Sequence, residues 1–444
     1  MTRGTYGGAR SGVGRLVPAI LPLLVTMPVA PTAVPPTTVP PIAIVDVRVL
    51  PMDGSGARDH QSVLIEGDRI AWVGPAAALA APPGTIVVHG DGRTLMPGLV
   101  DMHVHLNRED LTTYLAFGIT TVRNMWGFPD VWAMMREIDA GQTVGPTIFT
   151  VSSGLDGTPP KWPLTQLVMD ATAADGVVEA QWQAGYRTLK VYQDLRPQAY
   201  DSIVAAARRR GMDFVGHVPH RVGLKHALRS GQRSLEHLSG FGEELSRTGG
   251  RGPAAWVRIR TEEIPALAAA TRAAGAWVCP TLAIVARMGR GMSAADRDAL
   301  LENRRKVVRA LHSEGAGLLL GSDAGIEVVD PGASFHDEIA EFVAAGIPPI
   351  EALRLATAGA AEFLGQSGEL GVVAADARAD LLLLEADPGQ ALVTLRSPAG
   401  VMVRGRWFLE PDATRDSAAP GDGVTPREVA PPARASADAA ASSR

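Results

Sequence analysis

Between residues 42 and 92 apolar and polar positions alternate in short runs, "IAIVDVRVL", "SVLIEGDRIAWVG" and "TIVVHG", broken by Gly, Asp and Pro. A period of two between turn residues predicts the half-buried strands of a small antiparallel sheet unit. From about residue 94 the texture changes. Short apolar runs, "GITTVRN", "TIFTVSSG", "TLKVY", "DFVGHVP", "RSLEHLS", "AWVCPTL" and "GLLLGSDAG", now alternate with helical stretches such as "PQAYDSIVAAARRRG" and "EEIPALAAATRAAG". Several of the helices stop at a Gly just before the next strand, as in "RRRGMDF" and "SEGAGLL", the expected C-terminal punctuation.

With a strand over 94–105 counted first, the pattern gives eight strand and helix units, the number that closes a parallel barrel. Beyond residue 364 short strands return, "DLLLLEAD" and "GVMVRGRWFLE". The predicted architecture is α/β: a (β/α)8 TIM barrel over 94–364, beside a small β-sandwich-like sheet domain built from 42–93 and 365–410, that is, from both chain ends.

Composition narrows the picture. At 444 residues and 46% hydrophobic content the chain is long enough for one large core and a smaller one. A formal net charge of −5 offers no basic footprint, which argues against a nucleic-acid partner. The single cysteine, Cys279, excludes an intramolecular disulfide and reads as a small buried residue. Over 1–41, Arg3, Arg10 and Arg15 precede the apolar "LVPAILPLLVTMPVA" and a proline-rich linker. This is the form of an export signal, predicting a periplasmic or secreted protein, or a cytoplasmic one if the segment is not a signal. The run is too short and proline-broken for a stable membrane span. Residues 411–444, rich in Ala, Pro, Ser and Asp, are expected to be a disordered tail.

Barrel chemistry sits where strands end at their C-terminal face. His103 and His105, in "GLVDMHVHL", lie two apart, so a strand turns both to one side, where they can offer nitrogens to one ion. "VGHVP" delivers His217, "LEHLS" His237 and "LLGSDAG" Asp323, each at the last apolar position before turn residues begin. Four histidines and an aspartate at equivalent stations match a zinc-like or mixed divalent site. Lys190, in "TLKVYQD", is harder to place, because an ammonium beside divalent cations would face desolvation and like-charge repulsion. Either it is neutralised or converted to an anionic carbamate, or the strand register turns it toward the helices. Tyr192 shares its face. Further along, His220, His336, Trp126 and Trp162 fall where loops could line a pocket.

The stretches "LMPGLVDMHVHL", "TLKVY", "GHVP", "SLEHL", "GSDAG", "GIPPIEALRLATAGAAEFLG" and "GELGVVAADARADLLLLEADP" together resemble the metal-dependent amidohydrolase superfamily, over about 42–408, and most of all its imidazolonepropionase-related and Xaa-Pro dipeptidase-like branch. "GELGVVAADARAD" departs from the glycine and lysine pattern of many relatives, in a loop of the sheet unit. The resemblance implies two divalent ions, with zinc the leading candidate: His103 and His105 on one, completed by Asp323, His217 and His237 on the other, and a carbamate on Lys190 bridging them. It implies hydrolysis of a C–N bond in a small-molecule substrate by metal-bound hydroxide. Asp323 would shuttle the proton; Tyr192, by its position beside Lys190, either donates to a developing oxyanion or packs with its hydroxyl at the barrel rim. The same site would also suit a lactone or phosphotriester, and a non-catalytic scaffold on this fold is the remaining alternative. A homo-oligomer is left open.

Overall fold

A computed structural model describes residues 39–288, 291–326 and 329–410. The signal-like stretch and the C-terminal tail lie outside the described residues, apart from the end of the linker. Strands Ile42–Val49, Arg58–Glu66, Arg69–Pro75, Ile86–His89 and Thr94–Pro97 join Leu381–Leu384, Gly400–Val403 and Arg406–Leu409 in one eight-stranded sheet. The seam between the two chain ends is antiparallel, with Leu383 opposite Leu95 and Leu381 opposite Pro97. Val63, Ile65, Leu95, Leu381, Leu383 and Met402 belong to its core.

The other strands are β1 (Leu99–Val104), β2 (Ile119–Asn124), β3 (Thr147–Thr150), β4 (Thr188–Val191), β5 (Asp213–Gly216), β6 (Ser234–Glu236), β7 (Trp277–Cys279) and β8 (Gly317–Leu318). Neighbours pair in parallel around the series, β3 reaching β4 through its continuation Gly154–Asp156. The ring closes between β8 and β1: Met102 N donates to Leu320 O (2.9 Å), Asp323 N to His103 O (2.8 Å) and His105 N to Ala324 O (2.7 Å). This is a (β/α)8 TIM barrel with an additional sheet. Every residue of β1 and β2 is buried, as strands covered on both faces must be.

Two strand boundaries differ from the sequence reading. The run expected as one barrel strand over 94–105 divides at Gly98. Thr94–Pro97 pairs within the sheet, and only the residues from Leu99 onward enter the barrel. A Cβ at Gly98 would lie 2.1 Å from Thr120 Oγ1, so only glycine lets the chain pass that close to β2. "GVMVRGRWFLE" is likewise two strands, folded into a hairpin at Arg404 and Gly405, both with positive φ. Among the described residues no helix is long and apolar enough to cross a membrane.

Candidate metal centre

Five of the six residues expected as ligands stand at or just past the C-terminal ends of barrel strands, and Lys190 lies within β4. His103 is the fifth residue of β1 and His105 follows its end; His217 and His237 follow β5 and β6; Asp323 lies in the loop after β8. His237 and Asp323 have left-handed backbones, φ 62° and 60°. Non-glycine residues rarely adopt this conformation, and where they do the surroundings hold them in it. Gly325 and Gly216 serve the same geometry: a Cβ at Gly325 would sit 1.7 Å from His105 O, and one at Gly216 2.2 Å from Val191 O. Beneath the mouth, Asp101 fastens the two sides together. Its Oδ1 accepts from the backbone N–H of His103 (3.1 Å) and of Ser322 (3.0 Å), and its Oδ2 from the Ser322 hydroxyl.

The side chains converge. Nε2 of His103 and Nε2 of His105 each lie 3.2 Å from Asp323 Oδ1, and His237 Nδ1 lies 3.8 Å from Asp323 Oδ2. The His103 and His237 rings are 4.5 Å apart, centre to centre, and those of His237 and His217 4.6 Å. Ligand atoms of His103, His237 and Asp323 fall within 4.8 Å of one another. Lys190 and His217 line the same cavity as His105, His237 and Asp323, so Lys190 does not face the helices.

Three polar atoms of this cluster are buried without a hydrogen-bond partner: His103 Nε2, His217 Nδ1 and Asp323 Oδ1. Buried polar atoms are nearly always satisfied, so three orphans in one cluster call for an explanation. His103 Nδ1 lies 2.8 Å from Glu236 Oε2. Burial would raise the Glu236 carboxyl, but Arg123 and the bond from His103 hold it well below its ordinary range. It therefore accepts and Nδ1 carries a proton, which leaves Nε2, 3.2 Å from Asp323 Oδ1, placed to donate to that oxygen or to share a cation with it. The spacing is near the roughly 3.3 Å between ligands of a tetrahedral ion with bonds of about 2.0–2.1 Å.

Electrostatics point the same way. Burial disfavours the charged forms of two of the imidazoles, pushing His237 down to about 3 and His217 well below its usual value. Burial opposes ionisation of Asp323, yet His237 and His103 hold it well below the carboxylate range. Neutral imidazoles and an ionised carboxylate are the forms that bind a divalent cation. Burial also brings Lys190 down to about 8, against the pull of Glu236 and Asp323. The neutral amine is the form that adds carbon dioxide to give a carbamate.

Tyr192 lines the cavity, and its hydroxyl accepts from Trp162 Nε1 at 2.7 Å. Its own proton is then free to be donated elsewhere. Burial pushes the phenol up to about 12, so it stays protonated. His220 and Trp162 line the cavity; Trp126 packs edge-on against Tyr192 at 5.4 Å. His336 does not reach it: the ring is buried against Phe117, with Nε2 donating to the Phe117 carbonyl.

The sequence reading passed over Glu236, Arg123, Asp101 and Thr281, the last sharing a 2.8 Å hydrogen bond with His237 Nδ1. One signal was available: Asp101, Arg123 and Glu236 are charges inside strands that the pattern assigns to the barrel wall, and fully buried charges need partners. Arg123 Nη2 donates to Glu236 Oε1 at 3.0 Å.

Comparison with known proteins identifies the family. Residues 94–408 match the amidohydrolase family, and residues 63–81 match a bacterial imidazolonepropionase-like composite domain. An ochratoxinase of Aspergillus niger is 24% identical over 431 residues, spanning 80% of this chain and 83% of that protein. An imidazolonepropionase of Rubrobacter xylanophilus is 25% identical over 383 residues, covering 73% and 84%. Among solved structures, a putative prolidase from Bifidobacterium longum superposes with a TM-score of 0.70 at 23% identity, covering 85% of this chain and 97% of that one. The chain therefore belongs to the amidohydrolase family, on its imidazolonepropionase-related branch, and is a hydrolase acting on carbon–nitrogen bonds.

Proposed function

We propose that the chain hydrolyses the amide bond of a small N-acyl amino acid or dipeptide at a binuclear zinc centre. His103, His105 and Asp323 would hold one ion and His217 and His237 the other, with Lys190, once carbamylated, supplying a further anionic ligand. The observation that carries the reading is the set of orphaned atoms, His103 Nε2, His217 Nδ1 and Asp323 Oδ1, gathered at the mouth of a barrel around a cavity of about 610 Å³. The names of two relatives support an amide substrate: an Xaa-Pro dipeptidase, 20% identical with a TM-score of 0.66, and a bottromycin amidohydrolase, 26% identical with a TM-score of 0.65.

When bound, the ions would lower the pKa of a water toward about 7 and polarise the scissile carbonyl. The protein's own groups do the rest. Asp323, held ionised, takes the proton of the attacking water and returns it to the leaving nitrogen, so the acyl carbon gains oxygen and the amine departs protonated. Tyr192, its oxygen already engaged by Trp162, donates its hydrogen to the oxygen on which charge develops. Glu236 holds His103 in one tautomer, as carboxylates behind metal-bound histidines do. The N-terminal stretch is proposed as an export signal, which N-terminal sequencing of secreted protein tests.

The test is to strip the protein with chelator, reload it with zinc and bicarbonate, and assay N-acyl amino acids, dipeptides, lactones and a phosphotriester. Amide cleavage that returns with about two equivalents of metal is the expected result. Turnover of esters alone would discard the amide assignment. Less than one equivalent with no recovered activity would favour a scaffold.

A further inference from the structure

Asp156 ends the Gly154–Asp156 continuation of β3; it is fully buried and is not part of the cavity lining. Its Oδ1 accepts two backbone N–H groups, from Gly157 (2.8 Å) and from Asp194 (2.6 Å). The first opens the loop after this strand, and the second lies two residues past Tyr192, in the turn after β4. One oxygen therefore holds the roots of two loops. They touch there: a Cβ at Gly157 would sit 2.2 Å from Asp194 O, an approach that only glycine allows. The first loop also returns to the same residue, since Val168 N donates to Asp156 O (2.8 Å) and Gln166–Leu167 pairs in parallel with Leu155–Asp156.

Between those anchors the loop carries Trp162, which is 47% exposed and yet donates from Nε1 to the Tyr192 hydroxyl at 2.7 Å. A half-exposed side chain on a surface loop has several rotamers open to it, and fixing one costs entropy. Two other ties help: Trp126 Nε1 donates to Pro163 O (3.0 Å), and Lys161 lies 3.4 Å from Asp194. The lysine pair reaches solvent and contributes little. The two bonds to Asp156 end on a buried oxygen, and bonds to an ionised acceptor are about twice as strong as neutral ones. Burial raises the Asp156 carboxyl to about 6, which leaves it mostly ionised at neutral pH. Its Oδ2 is buried with no partner, a cost that the loop bonds must offset.

We infer that Asp156 is a positioning residue: by joining the loop after β3 to the turn after β4, it holds the Trp162 N–H against the Tyr192 oxygen and so aims the tyrosine's hydrogen. This rests on Tyr192 serving as the oxyanion donor of the amide hydrolase. The Tyr192 ring is itself placed by packing, edge-on to Trp126 at 5.4 Å and 4.3 Å from the His217 ring. Packing leaves the O–H free to rotate. An N–H donated to the oxygen turns the hydroxyl hydrogen away from the indole.

The first test needs no turnover. In zinc-loaded protein carrying isotope-labelled tryptophan, the Trp162 indole N–H is identified by its loss in Trp162→Phe, and its exchange with water is followed by NMR. Tyr192→Phe, which removes the acceptor, should speed exchange, and so should Asp156→Ala, each by about 10-fold, the scale of one hydrogen bond. Gly157→Ala, which forces the loop roots apart, should act like Asp156→Ala, and Asp156→Asn, which keeps the accepting oxygen, should restore part of the protection. Exchange unmoved by Tyr192→Phe, or unmoved by both Asp156→Ala and Gly157→Ala, would overturn the proposal. On an N-acyl amino acid, Asp156→Ala should lower kcat about 10-fold with little change in KM, and should cost nothing further in a Tyr192→Phe background. An equal loss in that background would also overturn it, because Asp156 would then act elsewhere. If the wild type cleaves no amide while Asp156→Ala still frees the indole N–H, the hydrolase reading fails and the loop coupling stands.

Discussion

The eight-stranded sheet and the barrel mouth both carry histidines beside aspartates, and the two environments treat them in opposite ways. In the sheet, His60 Nδ1 lies 2.9 Å from Asp46 on an exposed surface, and the bond to Asp46 raises its pKa. At the mouth, His237 lies 3.8 Å from Asp323, yet burial overrides the aspartate and pushes the imidazole down to about 3. The sheet resolves its polar groups in water or in surface pairs such as Arg48 with Asp59 and Arg69 with Glu369. The mouth buries most of its groups and leaves several unsatisfied. An acid–histidine pair therefore signals chemistry only where solvent cannot settle its charge.

This contrast can be broken or sharpened by mutation. The largest effect belongs to Asp323→Asn, expected to lower kcat by about 10²–10⁴-fold while retaining much of the metal, since general acid–base catalysis contributes on that scale. Near-normal turnover at unchanged metal content would remove Asp323 from the proton path. The sheet should answer in a different quantity. Leu383→Ala, in its buried core, should cost about 2–5 kcal/mol in denaturant unfolding and leave metal affinity as it was.

Glu236→Gln keeps the shape but weakens the hold on His103. Chelator competition should show metal affinity reduced about 10- to 100-fold; an unchanged affinity would mean that His103 needs no such support. Smallest is Glu338→Gln. A carboxyl raised to about 8 in the fold from an ordinary 4.5 retains its proton longer than in the unfolded chain, so its contribution to stability is lost as pH rises between those values. The uncharged amide escapes that loss. The variant should match the wild type near pH 4 and exceed it by about 1–3 kcal/mol near pH 8, read from melting curves across that range.

Periodicity made the fold legible, because parallel strands buried on both faces are written as short apolar runs between amphipathic helices. It failed at Gly98, where one continuous apolar run crosses from sheet to barrel and only the closeness of Thr120 dictates the break. Five of the six expected ligand residues stand out in the sequence by their stations at strand ends, whereas Lys190 lies within its strand. Their supports were harder to see. Glu236 precedes His237, and strict alternation would send the two side chains to opposite faces, yet the left-handed turn at His237 returns its ring to within 4.5 Å of His103, the residue that Glu236 holds.

The seam of the sheet also fixes an order of events during synthesis. Thr94–Pro97 leads through Gly98 directly into the strand that carries His103, but its neighbour Leu381–Leu384 is translated almost three hundred residues later. While the chain is still emerging from the ribosome, that edge has no antiparallel partner and the root of the histidine strand is left unpinned. A nascent chain halted before residue 381 would hold all six candidate ligands and still lack the clasp beneath the first of them, so the mouth should become competent for ions only after the last strands arrive.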